Sequence, residues 1–122
     1  MAHILIVDDD PAIQELIRDT LSMQGHVFEM ASNGREALRK IRATRFDLVI
    51  LDRGMPEIDG LQVLKVLRSS PETVDLKVLM CTGAVMMVDA NEAFQAGASD
   101  YVVKPLDFVK LAAKVAALTQ KK

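Results

Sequence analysis

Asp8, Asp9, Asp52, Thr82 and Lys104 are the side chains of this 122-residue chain most suited to chemistry, because each sits where a short apolar run gives out. Three carboxylates and one lysine in one place leave excess negative charge, and such groups repel one another and resist ionisation. A hard divalent cation with oxygen ligands would correct that imbalance. Magnesium suits a site of few carboxylates, since it keeps several waters and often binds a substrate phosphate. Beside such a metal a carboxylate can attack phosphorus and become an aspartyl phosphate. The Lys104 ammonium would then neutralise charge on the transferred group. The Thr82 hydroxyl would donate a hydrogen bond to a phosphoryl oxygen, and both would act as preorganised electrostatic stabilisation, with the metal as the largest positive charge.

The apolar runs that deliver these residues are Ile4 to Val7, Val27 to Ala31, Leu48 to Leu51, Val78 to Cys81 and Tyr101 to Val103, and they read as strands. Between and after them come five segments with helical spacing. The first carries Ile13, Leu16, Ile17 and Leu21, the second Ala37, Leu38 and Ile41, and the third Leu61, Leu64 and Leu67. The fourth carries Ala90, Ala93 and Phe94, and the fifth Phe108, Leu111, Val115 and Leu118. Strict alternation with short right-handed crossovers predicts a doubly wound α/β fold: a five-stranded parallel sheet with five helices over its two faces. Runs one, three and four are apolar throughout, as central strands must be. Run two contains Glu29 and run five is short, so these are predicted edges, consistent with the order 2-1-3-4-5. In such a sheet ligands bind beyond the carboxyl ends of the strands, where the order reverses. That is where strands one, three, four and five deliver Asp8-Asp9, Asp52, Thr82 and Lys104.

Each residue also has a plainer reading. Asp10 followed by Pro11 reads as a helix N-cap with a first-turn proline, and is left out of the site. Asp52 alone would read as a turn or cap residue, Thr82 as the start of a turn with Gly83, and Lys104 as a solvated lysine. Their joint placement at strand ends favours a site. Tyr101, judged without context, reads as packing. Asn33-Gly34, Ser70-Pro71 and Gly97 mark loops or helix ends.

Half of the residues are apolar, enough for a core, and one domain spanning residues 1–122 is expected, the chain stopping directly after its last predicted helix. The 15 basic and 17 acidic residues form no block of like charge, so no direct nucleic-acid binding is expected. No apolar run approaches the roughly 20 residues of a membrane span, and the start lacks the pattern of a signal peptide, so a cytoplasmic protein with no membrane contact is expected. Cys81 lies within an apolar run and reads as a buried structural thiol.

The segments Ile4 to Asp10, Asp47 to Asp52, Met55 to Gly60, Thr82-Gly83 and Gly97 to Pro105 together resemble the receiver domains of bacterial response regulators, CheY-like domains of flavodoxin-like topology. The likeness runs from Ile4 to about Leu118. It implies that Asp52 is the phosphoacceptor, taking its phosphoryl group from a histidine kinase or phosphotransfer protein. It implies that Asp9, Asp52 and the Gly54 backbone carbonyl hold Mg2+, with Asp8 acting through a metal-bound water and Mn2+ able to substitute. Thr82 and Lys104 would follow the phosphoryl group, Tyr101 would turn inward as part of a switch, and the Lys104–Pro105 bond would be cis. Output would pass to a downstream protein effector over the face made by the fourth helix, fifth strand and fifth helix, from a monomer or a phosphorylation-dependent dimer. Any catalysis would be limited to the domain's own phosphorylation and dephosphorylation.

Some positions depart from that pattern. Arg53 follows the phosphoacceptor where an apolar residue is common, and reads as solvated. Gly83 follows Thr82 where alanine is common, which would loosen that loop. Gly54 and Ala84 would leave the pocket open to water. The apolar run Ala84 to Val88 reads equally as a partner contact and as core. Three other functions compete. A flavin-binding protein of similar topology would want a phosphate-cradling loop after the first strand, where Asp8-Asp9-Asp10-Pro11 would repel phosphate unless a metal intervened. A phosphorylation-independent interaction module of the same fold would not need Asp9, Asp52, Thr82 and Lys104 together. A haloacid-dehalogenase-type phosphatase would want a second aspartate two residues after Asp52, where this chain has Gly54.

Overall fold

The computed structural model describes residues 2–82 and 95–120, with the Thr82 side chain outside that description. Five parallel strands form one sheet: β1 (His3–Val7), β2 (Val27–Ala31), β3 (Leu48–Asp52), β4 (Lys77–Thr82) and β5 (Asp100–Val103). Their order is β2-β1-β3-β4-β5, with the two edges where the strand polarities predict them. Each strand lies within a residue of its predicted limits. Four helices are described: α1 (Pro11–Leu21), α2 (Gly34–Ala43), α3 (Gly60–Ser69) and α4 (Phe108–Thr119), with a 3-10 turn at Ser22–Gln24. α4 is the fifth of the helices expected from the sequence; the fourth, around Ala90, Ala93 and Phe94, lies outside the described residues.

Strand alternation divides the apolar residues into two cores. Leu5, Val7, Val49, Leu51, Val78 and Met80 face one way and pack with Ala37 and Ile41 of α2 and Val63, Leu64 and Leu67 of α3. Ile4, Ile6, Leu48, Ile50, Leu79 and Cys81 face the other way and pack with Ile17 and Leu21 of α1 and Leu111 and Val115 of α4. Every residue of β3 is buried, whereas β2 exposes Val27 and β5 exposes Val103. Burial pushes the Cys81 thiol up to about 12, so it stays a neutral core group.

The helices start on local chemistry. Asp10 caps α1, accepting from the Ala12 N–H at 2.9 Å ahead of Pro11, and Asn33 caps α2 through the Glu36 N–H. Asp59 and Gln62 form a reciprocal capping box on α3, with both bonds at 2.9 Å. Gly60 opens α3 against the end of β3. A Cβ there would collide with the Asp52 carbonyl oxygen and stand 2.8 Å from Arg53 Cα, so this close approach requires glycine.

Charge is distributed less evenly than the linear sequence implies. Arg35, Arg39 and Arg42 are spaced four and three apart on α2, hence on one helical face, and all are exposed. Helical periodicity thus gathers on one face charges that are separated along the chain.

Candidate functional site

Register brings the first two carboxylates together. β1 and β3 are parallel neighbours with Val7 opposite Leu51, so Asp8 and Asp52 follow side by side at the strand ends. By alternation both lie on the side of Ile6 and Ile50, the side that α1 and α4 cover. Asp8 is 2% and Asp52 3% exposed, while Asp9 is exposed to solvent. One carboxylate oxygen from each of the three lies within 4.8 Å of the others. Lys104 follows β5 directly, and its Nζ reaches back to Asp52 Oδ1 at 3.0 Å and Asp8 Oδ2 at 3.2 Å. The Lys104–Pro105 peptide bond is cis.

Backbone donors fix the carboxylates further. Asp52 Oδ1 accepts the Gly54 N–H at 3.1 Å, and Asp8 Oδ1 accepts the Asp10 N–H at 2.9 Å. Burial raises the pKa of Asp8, the Asp10 bond and Lys104 oppose that rise, and the charge of Asp52 adds to it. Burial alone would lower the pKa of Lys104, but its hydrogen bond to Asp52 and the charges of Asp52 and Asp8 hold it above the usual lysine value. Lys104 is therefore a fixed cation between two buried carboxylates, and the third carboxylate, Asp9, remains uncompensated by it. This donor set, all carboxylate oxygen with one ammonium at its edge, fits a hard divalent cation.

The remaining predicted residues are placed as follows. Thr82 closes β4 with its backbone opposite Val103, and its side chain lies outside the described residues, as do Gly83 and the run Ala84 to Val88. Tyr101 pairs in register with Met80, is partly buried and packs on the α2–α3 core, with Lys114 Nζ 5.8 Å from its ring centre. Lys114 also pairs with Asp100 at 2.9 Å. Arg53 is partly buried, contrary to the solvated position expected for it, and its carbonyl accepts the Gly60 N–H at 3.0 Å where the β3–α3 loop folds back.

The sequence reading passed over Gln14. It is 8% exposed, and its Nε2 donates to the Asp8 carbonyl at 2.7 Å and the Ala31 carbonyl at 3.1 Å, tying α1 to the ends of β1 and β2. Its signal was an amide at apolar helical spacing, three residues before Ile17 and seven before Leu21.

Comparison with known proteins points in one direction. The profile of the response regulator receiver domain matches residues 4–116. Response regulator MprA of Mycolicibacterium vanbaalenii is 42% identical over 98% of this chain and 51% of its own length. The chain spans about half the length of the curated relatives it matches. Among solved structures, chemotaxis response regulator CheY4 of Vibrio cholerae superposes with a TM-score of 0.90 at 32% identity, covering 97% of this chain and 98% of that one. The signal receiver domain of a signal transduction histidine kinase from Syntrophus aciditrophicus superposes with a TM-score of 0.90 at 35% identity, covering 98% and 90%.

Proposed function

The chain belongs to the response regulator receiver domain family, whose members are signalling phosphoacceptors rather than classical enzymes, and from that premise we propose that Asp52 accepts a phosphoryl group from the phosphohistidine of a histidine kinase or phosphotransfer protein. In that step the P–N bond to the donor imidazole breaks and a P–O bond to the Asp52 carboxylate forms. The imidazole leaves and takes up a proton from solvent. The observation that carries the reading is the position of Asp52: a 3%-exposed carboxylate at a strand end, beside Asp8 and within 3.0 Å of a lysine ammonium.

Asp52 Oδ1 is occupied by Lys104 and the Gly54 N–H, and no described residue donates to Oδ2, which makes Oδ2 the attacking oxygen. Asp9, Asp52 and the Gly54 carbonyl would hold Mg2+, or Mn2+ in its place, and Asp8 would act through a bound water. The metal, when bound, supplies positive charge against the phosphoryl oxygens. Lys104 holds the nucleophile in place and then meets the charge of the new phosphate from the same position. Thr82 donates to the phosphoryl group, and Tyr101 follows as a switch residue, so that residues 1–122 work as one receiver unit with two packings. Output then reaches a protein effector over the fifth strand, α4 and the segment before that strand, where the sequence predicts the fourth helix. No described helix is long and apolar enough to cross a membrane.

The test is intact-protein mass after incubation with acetyl phosphate and magnesium. Wild type should gain one phosphoryl adduct, and both Asp52→Asn and a chelated sample should gain none. If Asp52→Asn carries the same adduct, or if wild type gains none from acetyl phosphate or from a phosphorylated histidine kinase, the reading fails.

A further inference from the structure

A concave patch on the α2 face of the molecule has no part in the phosphoryl chemistry. It is a shallow, open depression of about 500 Å3, lined by Arg35, Leu38, Arg39, Arg42, Ala43 and Ile58. Its polar lining is entirely cationic and its floor is apolar. Arg39 makes only a 3.9 Å contact with Glu36, and among the described residues no carboxylate pairs with Arg35 or Arg42. Helix stability explains this row only in part, through Arg42 in the last turn of α2 and the Glu36–Arg39 contact. Arg35 stands in the first turn of α2, where the helix dipole disfavours positive charge. The spacings from Arg35 to Arg39 to Arg42 place like charges as neighbours, which destabilises a helix. A wider cavity of about 740 Å3 continues past Arg42 toward Phe46 and Leu67, but Asp47, Glu72 and Asp75 line it, so the excess of positive charge is confined to the upper patch.

We propose that this patch docks an acidic, amphipathic segment of a partner protein, its carboxylates meeting Arg35, Arg39 and Arg42 and an apolar side chain seated between Leu38 and Ile58. Charge complementarity selects an anionic occupant, and the apolar floor selects a protein segment over a bare polyanion. Three arginines also offer few phosphate contacts to a nucleic acid, whose non-specific affinity grows with the number of phosphates neutralised. Arginine's rigid fork suits paired recognition of carboxylates. The patch adjoins the β3–α3 loop through Ile58, whose carbonyl lies against Gly34 at the start of α2.

The test measures fluorescence anisotropy of labelled helical peptides with the whole chain. One peptide carries glutamates at four- and three-residue spacing around a leucine, a second replaces the leucine with serine, and a single-stranded oligonucleotide serves as a third probe. The leucine peptide should bind wild type about tenfold more tightly than it binds Arg35→Gln/Arg39→Gln/Arg42→Gln, and should weaken as salt rises. Ile58→Ser should weaken the leucine peptide and leave the serine peptide unchanged, a readout that general charge attraction would not produce. The glutamine triple variant retains helix-forming residues, and circular dichroism of each variant verifies its fold. Equal binding of the two peptides overturns the proposal, as does tighter binding of the oligonucleotide. Concentration-dependent dimerisation of wild type that the triple variant loses would also overturn it, in favour of a second copy of the chain.

Discussion

Lys104 stands between two carboxylates that burial has stripped of most of their water, and its removal leaves them facing each other. Lys104→Met should therefore cost on the order of 2 kcal/mol in the metal-free protein, below the penalty for breaking a fully buried pair because Lys104 keeps 28% of its side chain exposed. Magnesium should restore part of that loss, and urea denaturation with and without the ion measures both effects. Asp8 behaves in the opposite sense. Its pKa is raised in the fold, so the native state binds more protons than the unfolded chain just above the ordinary value of 3.8, and Asp8 costs stability once the pH exceeds its raised pKa. Asp8→Asn should accordingly raise the metal-free denaturation midpoint at neutral pH, with the gain shrinking as the pH falls toward 3.8. A gain that persists undiminished in acid would show that Asp8 acts through packing instead. The acidic residues and the lysine of this pocket were legible in the sequence because several strand ends deliver them together, although each alone reads as a turn, cap or solvated residue. Gln14 was not, since a glutamine in a helix reads as solvated until the strand carbonyls that it meets are located.

At the scale of the element, α3 is the one whose start is tied to the strand that carries Asp52. The Asp59–Gln62 capping box satisfies two backbone donors, and Gly60 fits against the Asp52–Arg53 backbone. Asp59→Ala should cost about 1 kcal/mol of stability by removing the cap, leaving phosphorylation of Asp52 largely intact. Gly60→Ala should do more, because its Cβ displaces the backbone that carries Asp52; phosphoryl uptake should fall along with the denaturation midpoint. Uptake at the wild-type rate in Gly60→Ala would show that the loop yields without moving Asp52. The capping box was available in the sequence as aspartate followed three residues later by glutamine. The need for glycine beside it was not, because that depends on how closely the helix start approaches the strand. The same holds for Arg35, Arg39 and Arg42, whose coincidence on one face appears only once α2 is known to be a helix and to leave that face open.

Across the whole molecule, the polarity of five short runs pointed to the two edges of the sheet, because a strand covered on both sides must be apolar along its length whereas one carrying Glu29, or a short one beginning after Asp100, can sit at an edge; the order of the inner strands rested on the family resemblance as well. What the runs could not supply was register, and register is what sets Asp8 beside Asp52. The two cores have one component in common, the sheet between them, and its three inner strands are shielded on both faces and hydrogen-bonded on both edges. Time is the coordinate on which this shielding should appear. In deuterated solvent the amide hydrogens of Leu5, Ile6, Val49, Ile50 and Leu79 should be the last to exchange, reporting whole-chain opening, while those of Phe28 and Tyr101 on the outer strands should be lost earlier through local fraying. Exchange at one common rate across all five strands would instead mean that the sheet opens only as a unit.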